Sequence, residues 1–120
     1  MSKATNWRKE QDKEIAKNDQ LLEDDKAKVK EKELFILSHQ ALLAGRHGEK
    51  TFDFARKMAY FEQQKLDINA ATLTLGSIIK SQKKAEYQKA QARLLESFKS
   101  YINILNEEIQ GINMKINNFP

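Results

Sequence analysis

Apolar residues recur through the C-terminal stretch Leu94 to Ile116 at alternating steps of three and four: Leu95, Phe98, Ile102, Leu105, Ile109, Ile112 and Ile116. Such spacing draws a narrow a/d stripe along one side of an α-helix, and a partner helix is needed to cover it. A second stripe lies upstream, where Ile15, Leu22, Val29, Ile36 and Leu43 repeat at seven-residue intervals. The positions three residues on are polar: Asn18, Asp25, Lys32 and His39. This stripe is therefore thin, and the end before residue 15 is expected to be loosely held. Between Leu34 and Ala44 the apolar face widens, with Leu34, Leu37, Ala41 and Ala44 forming a second line that predicts good burial. A third stripe carries Phe54, Phe61, Ile68 and Leu75, with Met58 and Ile79 on the alternate line and Lys65 and Thr72 interrupting it.

Local signals divide these stripes. Thr5 or Asn6 is a candidate cap for the first helix. Gly45-Arg46-His47-Gly48 supplies a break, Thr51 a candidate N-cap for the next helix, and Asp53 a charge suited to its N-terminal dipole. A short connection there predicts antiparallel neighbours. Poor helix formers cluster over 67–77, the weak section of the second helix.

Between residues 80 and 93 the stripe lapses and restarts in a different phase. A fold-back or one long helix facing two partners both satisfy that change. The good helix formers of Lys83 to Leu95, free of glycine and proline, favour continuity. The expected fold is all-α, one helical domain over 1–120: a long antiparallel helical hairpin or three-helix bundle with coiled-coil-like seams. Its helices cover about 7–44, 51–80 and 82–116, with a turn at 45–50 and a kink or break near 67–93.

Composition agrees with long helices solvated on most faces: 40% hydrophobic, 32% charged, one proline and four glycines. Cysteine is absent, which excludes disulfides and thiolate chemistry. No apolar run reaches the ~18 residues a membrane helix requires, and the charged start does not read as a secretory signal. A cytoplasmic protein is expected, with signal-less secretion or incorporation into a virion as the alternatives. The formal net charge is +4. Residues 1–33 balance nine basic against nine acidic side chains, whereas Lys80, Lys83, Lys84, Lys89 and Arg93 face Glu86 alone.

Candidate chemistry is sparse. Gly45 to Thr51 glances at a phosphate-binding loop, but Glu49 stands where that loop needs glycine. His39 and His47 lack carboxylates at ligand spacing, so no metal and no cofactor is expected. Nothing groups a nucleophile with a base and an acid, so an enzyme is not expected either. Lys80, Lys83, Lys84 and Tyr87, followed by Lys89 and Arg93, form a candidate anion or nucleic-acid stripe, weighed against an ordinary solvated face. Trp7, beside Arg8 and Lys9, is a candidate docking anchor.

The expectation for function is a non-enzymatic helical interaction module: an assembly chaperone, an adaptor or a structural subunit. It would bind another protein, or itself, through the seam Leu95, Phe98, Ile102, Leu105, Ile109, Ile112 and Ile116. A nucleic-acid-associated protein using 80–93 is the alternative.

Overall fold

A computed structural model describes the backbone of residues 3–47 and 51–118, and the side chains of 7–40, 42, 56 and 58–118. These residues form three helices, α1 (Lys3–His47), α2 (Thr51–Ser77) and α3 (Lys84–Asn118). The all-α expectation holds, with no strand among the described residues. At ~1.5 Å per residue, the 45 residues of α1 account for the molecule's 68 Å long axis.

The chain runs up, down and up again. Lys65 of α2 reaches Glu33 of α1 and Lys80 reaches Asp19, so α1 and α2 are antiparallel. Residues 12, 15, 33 and 40 of α1 meet 84, 91, 101 and 108 of α3 in that order, so α1 and α3 are parallel. α3 is the central element. It packs along both other helices, while α1 and α2 scarcely touch.

Several expectations are corrected here. The helix-favouring run from Lys83 does not continue α2. The chain breaks at 78–83 and folds back, through turn bonds from Gln82 and Lys83 N–H to the Ile79 carbonyl. Just before the break, the Thr72, Thr74 and Ser77 hydroxyls bond to carbonyls of the preceding turn, a competition that weakens helices. Lys80 then ties the break to Asp19 of α1, a long-range contact that helix propensity cannot anticipate.

α1 begins at Lys3, so Thr5 and Asn6 lie inside it, and it continues through Gly45 to His47. The rest of the turn, 48–50, lies outside the described residues, as do the side chains of Thr51 and Asp53. The end of α1 before residue 15 is not loosely held either, since Gln11 and Ile15 are buried and Asp12 pairs with Lys84.

The core follows the seven-residue lines. Leu22, Val29 and Ile36 of α1 form one buried cluster with Leu94, Phe98, Tyr101, Leu105 and Ile112 of α3 and Phe61 and Ala71 of α2, and Ile15 on the same line of α1 is buried as well. The thin stripe of α1 is completed by polar contacts. Its half-buried Asn18 and Lys32 donate to Gln91 and Asn106 of α3, and Gln11 donates to Gln88. Gln91, wholly buried, gives its amide N–H to the Ile15 carbonyl at 3.2 Å and to Asp19 at 2.7 Å. Gln40 donates to Glu108, while its own Oε1 has no hydrogen-bond partner among the described residues. Buried polar contacts of this kind select one register over its neighbours.

Candidate functional sites

The predicted seam of α3 divides in the structure. Phe98, Leu105 and Ile112 are buried between the chain's own helices. Leu95, Ile102 and Ile109 are half-buried against that core, and Ile116 is exposed. Gln91 extends the buried Phe98, Leu105 and Ile112 line one heptad upstream, and a second buried line, Leu94 and Tyr101, is one that an a/d template built on Leu95 passes over. Tyr101 was missed for that reason. Its hydroxyl donates to Glu33 at 3.0 Å, and Glu33 also meets Lys65 at 2.7 Å, so one polar knot joins all three helices. Burial, followed by the charge and hydrogen bond of Glu33, raises the Tyr101 phenol well above its ordinary value.

The good burial expected across Leu34 to Ala44 is corrected for its described side chains: among them only Ile36 and Gln40 are buried, Leu34 (58% exposed) and Leu37 (42%) face outward, and the side chains of Ala41, Leu43 and Ala44 lie outside the described residues. Leu34 and Leu37 point into the gap where α1 and α2 diverge. The gap is a groove of about 200 Å³, walled by Leu34, Leu37, Met58 and Phe61, with Ile36 and Leu105 also lining it. Its rim is charged, with Lys30 and Glu33 on α1 and Glu62 and Lys65 on α2. Leu66 and Leu73 of α2 are also exposed.

The basic stretch is likewise split. Lys80 pairs with Asp19 and lies 5.6 Å from the Tyr87 ring centroid. Its hydrogen bond to Asp19 raises its pKa, more than its slight desolvation lowers it. Lys84 is held by Asp12 at 2.5 Å. Arg93 lines a separate hollow with Gln64 and Asp67 of α2. No single stripe results. Lys83 instead meets a second predicted feature, because Trp7, Arg8 and Gln11 share with 81–86 an open cleft of about 530 Å³. Lys89 lies in an adjoining cleft that Trp7 and Gln11 also line, together with Glu10 and Glu14. Sequence spacing could not join residue 7 to residue 83.

His39 stacks on Phe35, with ring centroids 4.1 Å apart, and its Nδ1 lies 2.8 Å from the Phe35 carbonyl. The side chain of His47 is outside the described residues. No group of three His, Cys, Asp or Glu side chains is placed to hold a metal, and no helix is long and apolar enough to cross a membrane, among the described residues. Comparisons with protein-family models, curated proteins and solved structures give no match.

Proposed function

We propose that this chain is a cytoplasmic, non-enzymatic helical interaction module that takes a partner's amphipathic helix into the groove between α1 and α2. The observation carrying this reading is the exposure of Leu34 and Leu37 above a floor that includes Leu105, on the side of the bundle where α1 and α2 pack least against each other. A fourth helix seated there would cover both leucines, as helix-in-groove recognition does. Assembly chaperones, adaptors and structural subunits all act in this way. The mechanism differs from the one expected of the α3 seam, because Phe98 and Leu105 are already buried within the chain.

The test is an NMR titration of the ¹⁵N-labelled chain with a synthetic amphipathic helix bearing leucines at three- and four-residue steps. Shifts should cluster at Leu34, Leu37, Met58 and Phe61. The double variant Leu34→Asp/Leu37→Asp should keep its helicity, since both positions are exposed, and lose those shifts. Absence of shifts, or shifts indifferent to the double variant, would remove the groove as a docking site. Light scattering over a concentration series shows whether a second copy of the chain is the natural occupant.

A further inference from the structure

We infer that the cleft between the start of α1 and the start of α3 binds a nucleotide unit, its phosphate held by Arg8 and Lys83 and its flat ring stacked on Trp7. Three observations converge on this class of ligand. Trp7 is 58% exposed and lines the cleft, whereas the next large apolar residue of the helix, Ile15, is wholly buried. Arg8 and Lys83 line the same cleft and make no ion pair among the described residues, unlike Lys80 and Lys84. Of the cleft's other polar lining, Gln11, Ser81 and Gln82 can hydrogen-bond without adding charge, Lys84 is paired with Asp12, and Glu86 is the one carboxylate.

The charge distribution points the same way. Residues 7–19 carry four basic and four acidic side chains, and residues 80–93 carry five basic and one acidic. The chain's whole formal excess of +4 therefore gathers at this end of the bundle. Charge differs across the indole: the cleft holds Arg8, Lys83 and Lys84 against Glu86, whereas the adjoining hollow holds Glu10 and Glu14 against Lys89. An anion is thus favoured on the Arg8 and Lys83 side of the indole and disfavoured on the other. A ligand pairing one anionic group with one flat ring fits that asymmetry. An acidic peptide supplies the charge without a ring at each unit, and duplex nucleic acid keeps its ring faces stacked inside. Aromatic stacking beside a cationic groove is the usual basis for holding unpaired nucleotides.

Trp7 is the sole tryptophan, so intrinsic fluorescence reports on the site directly. The full chain would be titrated with thymidine monophosphate, a thymidine dodecanucleotide, inorganic polyphosphate and poly-glutamate. Saturable quenching by a thymidine ligand, and weaker binding of both ring-free polyanions, is the expected result. Quenching by the mononucleotide identifies a free nucleotide as sufficient, and quenching by the oligonucleotide alone identifies a single strand. With one phosphate neutralised, log affinity for the strand should fall with log salt at a slope of about −0.7, roughly 2.6-fold between 50 and 200 mM. Fluorescein-labelled oligonucleotide anisotropy then tests Trp7→Ala and Arg8→Glu/Lys83→Glu. Each should weaken binding about tenfold or more with helicity unchanged. No quenching, equal binding of a ring-free polyanion, or full affinity in either variant overturns the assignment.

Discussion

Replacing Tyr101 by phenylalanine tests whether the polar knot at the centre of the bundle contributes to folding. The ring is 2% exposed and would stay in place, so the substitution opens no cavity and removes only the hydroxyl. That hydroxyl donates to the Glu33 carboxylate, and a hydrogen bond to a charged group contributes about 1.5–3 kcal/mol. Glu33 keeps Lys65, and its side chain is a quarter exposed, so the loss should fall at the lower end, about 1.5 kcal/mol. The pH dependence gives the stronger test. Burial and Glu33 raise the Tyr101 phenol, so its stabilising contribution is complete below the ordinary value of 10.0 and declines as pH rises above it. The wild-type chain should then lose up to about 1.4 kcal/mol per pH unit relative to Tyr101→Phe. Lys80, also raised, contributes equally to both chains and cancels from the difference. Urea unfolding followed by circular dichroism at pH 7, 10 and 11 measures this. If the variant is as stable as wild type at pH 7, or the gap between them fails to narrow above pH 10, the knot is not formed as described.

Two further substitutions probe the core on either side of that knot. Leu105→Ala removes a fully buried side chain from the middle of α3 and should cost about 2–5 kcal/mol in urea unfolding; a cost below 1 kcal/mol would mean that α3 is not the central helix. Gln91→Glu places a carboxylate beside Asp19 at a site with no solvent exposure. It should destabilise by about 3 kcal/mol at pH 7, as an uncompensated buried charge does. The introduced group's pKa is raised in the fold, so the stability deficit should shrink as pH falls toward ~4, where the protonated form can donate to Asp19. A deficit that does not vary with pH would show that the two side chains do not meet.

The stripe arithmetic located the elements well where one residue type alone decided the outcome. Ile15, Leu22, Val29 and Ile36 are all buried, whereas the phase change over 80–93, where helix propensity favoured continuity, accompanies a break at 78–83. It erred where two helix faces compete. Leu34 and Leu37 lie about 100–160° around α1 from Ile36 at 100° per residue, so widening the apolar stripe did not widen the buried face. The lysines of 80–93 show the same limit. Spacing put Lys80, Lys83 and Lys84 together, but Asp19 and Asp12, on a helix sixty to seventy residues away, decided which of them stayed free.

Two of the polar positions that made α1 look like a weak partner, Asn18 and Lys32, also help to select its neighbour. A line of single aliphatic residues at seven-residue spacing fits a facing seam almost equally well after a shift of one heptad. It also says little about whether the covering helix runs parallel or antiparallel. Gln11, Asn18, Lys32 and Gln40 remove that degeneracy, because each finds a matching polar group on α3 in ascending order along both helices. α2 follows α1 directly, yet α3 holds these partners, so the remote helix covers α1 in parallel and the adjacent one is left mostly to α3. The open groove follows from this choice. Leucine at positions 18 and 32 would face α3 in place of the contacts to Gln91 and Asn106, and would leave the groove between Leu34, Leu37, Met58 and Phe61 open.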